Sequence, residues 1–145
     1  MITIKSVSCS EHAVLDPLIT EAAEERFRLS GRPGHPTAEV LAKATAALVA
    51  EKDGEMAGIC LIQIKGRVGE VHHLFVRPVF RRHNIGTELA REAIITIQYQ
   101  GCRSAKALIW RGNIPAENLW KSLKFVFSGP PVPGSVWDVW TLPIR

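Results

Sequence analysis

The stretch Glu70–Gln98, EVHHLFVRPVFRRHNIGTELAREAIITIQ, decides the fold. It reads as a strand, a short arginine-rich turn and an amphipathic helix. The strand ends in the apolar run Leu74-Phe75-Val76, as a largely buried strand does. Pro78 has no N–H to give a ladder, so pairing stops there. From Ile85 onward, Ile85, Leu89, Ala93 and Ile97, flanked by Ala90 and Ile94, share one helical face. A helix opening directly after Arg81-Arg82-His83-Asn84-Ile85-Gly86 presents unpaired N–H groups and the positive end of its dipole. That combination suits a phosphate.

Outward from this stretch the elements alternate. Ile2 and Ile4 mark a first strand. Leu15, Leu18, Ile19, Ala22 and Ala23 form a helical stripe, with Asp16-Pro17 read as N-cap and first-turn proline and Gly31 as the stop. Residues 31–36 are a mobile connection, and Thr37 is read as the cap of a short helix through Lys43. Residues 46–52 and 55–65 read as strands joined by Asp53-Gly54, a hairpin signal because glycine supplies the positive φ of the turn. The run from Met56 to Ile64 is nearly all apolar, as in a central strand.

Downstream, Gly101–Ser104 ends the helix, and residues 105–110 form a strand parallel to the one before it, joined by a right-handed crossover. Asn113-Ile114-Pro115 opens a further helix whose buried face is Ala116, Leu119, Trp120 and Leu123. Residues 125–128 and 135–142 give two last strands around a proline-rich loop. The order βααβββαβαββ predicts a single domain over residues 1–145. It is an α/β (α+β) fold with one mixed, mostly antiparallel sheet of about six to seven strands and helices on both faces.

Composition sets the outer bounds. With 46% hydrophobic and 22% charged residues, 145 residues can bury one core. A net charge of +4 fits an anionic small molecule as well as nucleic acid. Three cysteines, Cys9, Cys60 and Cys102, with no C-x-x-C, argue against a disulfide framework and support no zinc site; no metal is expected. The start carries no basic-then-apolar signal segment, and no apolar run approaches the ~20 residues of a membrane span. A cytoplasmic protein without membrane contact is the expectation.

The central stretch resembles motif A of the GNAT superfamily of acyl-CoA N-acetyltransferases: an apolar pair, Val-x-Pro, then Arg/Gln-x-x-Gly-x-Gly/Ala. Here it stands as Leu74-Phe75-Val76-Arg77-Pro78 and Arg81-Arg82-His83-Asn84-Ile85-Gly86, with Asn84 in one glycine position. Asparagine is the non-glycine residue that best tolerates a left-handed backbone, so the turn can survive. Asn113-x-x-Ala116-x-x-x-Trp120-x-x-x-Lys124-Phe125 partly matches the family's motif B, with Trp120 for its tyrosine and Lys124 for its glycine.

The resemblance implies direct transfer of an acetyl group from acetyl-CoA to a primary amine of a small molecule or peptide, an activity of the EC 2.3.1 type. The main chain of Leu74, Phe75 and Val76 would pair with the pantetheine arm at a bulged, splayed central parallel strand pair. The N–H groups of Arg81, Arg82, His83, Asn84, Ile85, Gly86 and Thr87 would hold the pyrophosphate, and Asn113 would touch the cofactor. Arg77, Arg82, Lys121 and Lys124 are candidates for the outer phosphates. His35, Arg28 and Arg32 are candidates for contact with the acceptor.

An alkyl amine has a pKa near ~10, so a base or a proton route to water is needed. Glu70, placed where several family members carry their base, is the first candidate, His72 the second and His73 the third. Strand alternation puts Glu70, His72 and Leu74 on one face and His73 on the other. Trp120 cannot return a proton to the leaving thiolate, because indole N–H is a donor that does not titrate usefully. A CoA-binding module impaired in catalysis is therefore the alternative. Nucleic-acid binding is disfavoured, since no recognition motif occurs and the charges cluster where CoA phosphates would lie. The Trp137/Trp140 strand is expected at the sheet's end, where it could pair two chains as a homodimer.

Overall fold

The computed structural model describes residues 1–144. Its elements run β1 (Ile2–Val7), α1 (His12–Ser30), α2 (Thr37–Lys43), β2 (Ala46–Lys52), β3 (Glu55–Lys65) and β4 (Val68–Val76). A 3-10 turn (Pro78–Phe80) follows, then α3 (Ile85–Tyr99), β5 (Ser104–Trp110), α4 (Ile114–Ser122), β6 (Val126–Gly129) and β7 (Trp137–Pro143). The seven strands form one sheet in the order β1-β2-β3-β4-β5-β7-β6. Every neighbouring pair is antiparallel except β4 and β5.

Each face of the sheet buries its own apolar cluster. On one face Leu15, Leu18, Ile19 and Ala22 of α1 and Leu41 of α2 pack on Ala47, Val49, Ile59, Leu61 and Phe75. On the other, Ile85, Leu89, Ala90, Ala93 and Ile97 of α3 pack on Leu48, Cys60, Ile62, Val71 and Ala105. A glycine lets α3 lie close: a Cβ on Gly69 would meet the Ile97 side chain at 2.5 Å. The β2–β3 hairpin turns on Asp53 (φ 52°) and Gly54 (φ 83°), both left-handed as the Asp-Gly pair predicts.

Several local expectations are corrected. α1 starts at His12 with Glu11 as N-cap, so Pro17 lies inside the helix and Asp16 caps nothing. The earlier start puts Leu15, read as part of the stripe and fully buried, inside the helix and not ahead of its cap. Pro17 is tolerated because the Ala13 carbonyl that it cannot serve lies on the exposed side of the helix, within reach of water. Thr37 is the first residue of α2 rather than its cap. Its hydroxyl donates to Asp16, so both supposed caps instead tie α1 to α2. β7 is not the sheet's edge. It lies between β5 and β6, because the proline-rich loop folds β6 back along it, and β6 is the outermost strand.

Candidate active site

The site is set by a defect in β4. Ile59 faces Phe75 and Leu61 faces His72, so Cys60 of β3 stands opposite two residues, His73 and Leu74. His73 takes up the extra residue with φ 54°, a left-handed value. A bulge bends its strand, and here β4 leaves its parallel neighbour. The β4–β5 ladder covers Val68–Val71 against Ser104–Ala107 and then stops. Beyond that point a cleft of about 350 Å³ opens between the strands, lined by His72, His73, Leu74 and Phe75 on one side and Leu108, Ile109 and Trp110 on the other.

The bulge also overturns the expected facing of the residues. Leu74 and Val76 pack on the α3 side with Val71, whereas Phe75 belongs to the cluster under α1. His73 turns to α1 as well, where its Nδ1 accepts from Arg26 Nη2 at 2.8 Å. It therefore stands beside His72, with ring centroids 6.3 Å apart, and not across the sheet from it. Simple alternation fails here because one extra residue shifts every later side chain to the other face.

Glu70 sits one rung before the strands part. Its carboxylate pairs with Lys65 Nζ at 3.0 Å, and its other oxygen lies 3.9 Å from His72 Nε2. That second distance is too long for a hydrogen bond. His72 Nε2 is buried without a partner among the described residues. Burial lowers the His72 pKa; Glu70 opposes this, and Lys65, Arg26 and Lys43 add to it. Burial, followed by Arg26, pushes His73 down to about 3. Both rings are thus neutral at pH 7. They also line a second cavity of about 190 Å³ under α2, together with His35, Glu39 and Lys43.

Past Val76 the chain makes its turn and enters α3. Asn84 is left-handed (φ 61°, ψ 16°), as its replacement of glycine requires, and Arg82 is too (φ 69°). The first helical bond runs from Glu88 N–H to the Asn84 carbonyl, so the N–H groups of Ile85, Gly86 and Thr87 precede the ladder. Among the described residues the N–H groups of Arg82, His83 and Asn84 also have no partner, whereas the Arg81 N–H, expected among the phosphate donors, is taken by the Pro78 carbonyl at 3.2 Å as the 3-10 turn closes. A Cβ on Gly86 would reach only Val76 and Leu119, at 3.7 and 3.9 Å, so this first turn lies between the end of β4 and α4.

The cations of the turn are less free than their number suggests. Arg77 is committed to Glu21 through two hydrogen bonds, of 3.0 and 2.7 Å, and to the Met56 carbonyl, which removes it from the phosphate candidates. Arg81 folds back, donating Nε to the Val76 carbonyl at 2.9 Å and pairing with Glu25. Lys52 Nζ donates to His83 Nδ1 at 2.9 Å, and Lys121 lies over the Trp140 ring. Arg82 and Lys124 are exposed.

On α4, Asn113 is the N-cap, its side chain accepting from Ala116 N–H at 3.3 Å, and it lines the strand cleft as well. Trp120, 3% exposed, also lines the cleft and meets Phe125 edge-on at 4.7 Å. Of the acceptor-side candidates, His35 lines both cavities and Arg32 covers Trp110 from the rim. Arg28 lies in a separate surface groove. Arg26 escapes a motif-based reading. Its signal is spacing: it falls four residues after Ala22, where the buried stripe of α1 continues.

The parted parallel pair and the helix that opens by free N–H groups at the end of the parted strand together make up the candidate site. The sequence matches the family model described as "Acetyltransferase (GNAT) family" over residues 15–125. A Bacillus subtilis (strain 168) protein, named provisionally as a ribosomal protein bS18 alanine N-acetyltransferase, is 31% identical over 74 residues. That match spans 51% of this chain and 49% of the relative, about half the length of each. Among solved structures, the PaiA N-acetyltransferase of Thermoplasma acidophilum in complex with coenzyme A superposes with a TM-score of 0.77 at 15% identity, covering 99% of each chain. The ribosomal-protein-S18-alanine N-acetyltransferase of Escherichia coli gives 0.77 at 18% identity, covering 99% of this chain and 94% of that one. The chain belongs to the GNAT acetyltransferase family. Among the described residues no helix is long and apolar enough to cross a membrane.

Proposed function

We propose that the protein moves an acetyl group from acetyl-CoA directly to a primary amine, with donor and acceptor bound together. The parting of β4 from β5 after Val71 and Ala107 carries this reading. It leaves one edge of β4 without a partner strand at Leu74 and Val76, where the amide-rich pantetheine arm can add as a short strand once Arg81 releases the Val76 carbonyl. The same edge runs to the open first turn of α3. There the N–H groups of residues 82–87 have no backbone partner and stand at the positive end of the helix dipole, and the diphosphate binds to them. The thioester then lies beside Glu70 and His72.

The amine nitrogen attacks the thioester carbonyl carbon, the C–S bond breaks, and coenzyme A leaves as a thiolate. His72, neutral and with Nε2 unpartnered, accepts the amine proton or passes it through water to Glu70. Water returns a proton to the thiolate, since Trp120 cannot. Thiols ionise near pH ~8.5, so the thiolate departs without a dedicated acid. The Bacillus subtilis relative is named for acetylation of an alanine, which makes α-amines the first acceptors to try.

The test is thiol release from acetyl-CoA across a panel of amines. Acceptor-dependent release is expected, and the double variant Glu70→Gln/His72→Asn should lower kcat by about 10²- to 10⁴-fold while acetyl-CoA still binds. Tight acetyl-CoA binding with no release for any amine would favour the second reading, a CoA-binding module, which the tryptophan at position 120 motivates.

A further inference from the structure

The cleft contains a positive charge that the transfer chemistry does not use. Arg26 of α1 lines it, half-buried, and partial burial lowers its pKa. Buried charges are normally paired, because an unpaired one forfeits its hydration. Two glutamates of the same helix are already engaged: Glu21 holds Arg77 and Glu25 holds Arg81. Among the described residues no carboxylate pairs with Arg26. Its one side-chain partner is His73 Nδ1, a neutral acceptor that leaves the charge uncompensated. The guanidinium is near enough to His72 and His73 to depress both.

We infer that Arg26 binds a carboxylate of the acceptor, and that the acceptor is a free α-amino acid with an apolar side chain. This rests on the acetyltransferase reading above. A single carbon separates the amine and carboxylate of an amino acid, so a carboxylate on Arg26 brings the amine next to the neighbouring His72. A planar guanidinium offers the paired donors that a carboxylate accepts. Leu29, Trp110 and Trp137 line the same cleft, the two indoles edge-on at 5.6 Å, and provide the apolar wall for the side chain. His73 then acts as a positioning residue that holds the guanidinium.

The experiment compares phenylalanine, phenylalanine amide and phenethylamine, by acetylation with acetyl-CoA and by calorimetric binding to the protein saturated with CoA. The wild-type protein should prefer the amino acid by about 10- to 100-fold, the range of a charge-assisted pair. In Arg26→Gln that ratio should collapse towards one, and in Arg26→Lys it should stay intermediate. Because the ratio is internal to each variant, partial loss of fold does not imitate the effect. If Arg26→Gln does not fold, the wild-type panel still decides.

Acetylation indifferent to the carboxylate would overturn the inference and leave the acetyltransferase intact. Carboxylate-dependent binding without acetylation would overturn the acetyltransferase reading and, with it, the assignment of the Arg26 ligand as an acceptor, leaving only a carboxylate site. A preference for succinyl-CoA over acetyl-CoA that depends on Arg26 would place the carboxylate on the acyl donor and overturn the acceptor assignment.

Discussion

His73 carries two burdens at once: a left-handed backbone and a buried ring. Histidine is among the few side chains enriched at positive φ, and that lets it serve as the bulge residue. Burial and Arg26 keep it neutral, with its pKa about 3 against 6.5 for a free ring. Protonation therefore favours the unfolded chain. The contribution of the neutral ring to stability is complete above pH 6.5 and is lost as pH falls from there towards 3. Thermal melts from about pH 7.5 down to about pH 4 should show a falling Tm. His73→Asn, which also accepts the backbone angle, should flatten that slope by removing one of the two depressed histidines. An unchanged slope would mean that the ring is solvated. Lys124 is the counter-example, a lysine held at φ 74° where the family pattern has glycine, with no ring chemistry to justify the strain.

Among the elements, the bulged β4 depends on its neighbour β3 having no side chain at one point. A Cβ on Gly58 would meet the Phe75 carbonyl oxygen at 2.7 Å and Leu89 Cδ1 at 3.1 Å. The first contact is backbone and cannot rotate away. Gly58→Ala should cost about 1–3 kcal/mol in urea unfolding and weaken acetyl-CoA binding, because relief must move the strand that frames the cleft. A loss of stability with unchanged affinity would separate the bulge from the cofactor site.

The order of elements was legible because each carries its own period: residues 46–52, 55–65 and 85–97 announce themselves by apolar spacing and by Asp-Gly or proline punctuation. The start of α1 was not. Asp16-Pro17 is a valid helix opening locally, and that signal outweighed Leu15, an apolar stripe residue that lies ahead of it and is buried in the first turn of the helix.

On the scale of the whole molecule, the two faces of the sheet divide the work. The α3 face carries the turn proposed for the diphosphate, and the α1 and α2 face carries Arg26 and the second cavity. Coenzyme A at a hundredfold excess over its Kd should stabilise the fold by about 2.7 kcal/mol, which raises Tm by roughly 5–10 °C in a chain of this size. Pantetheine at the same concentration should do far less, having no diphosphate for the first turn of α3. Equal shifts from the two ligands would show that those N–H groups do not hold the phosphates.

The sequence by itself determined the succession of strands and helices, the left-handed turn at Asn84 and the cap at Asn113. These follow from side-chain periodicity and backbone preference, which act over a few residues. Only the tertiary structure decided that His73 joins His72 on the α1 side, that Arg77 and Arg81 are taken up by Glu21 and Glu25, and that Arg26 is left in the cleft without a carboxylate. The physical reason is that pairing between α1 and β4 joins residues some fifty positions apart in the chain, and a bulge one residue long resets which of them can meet.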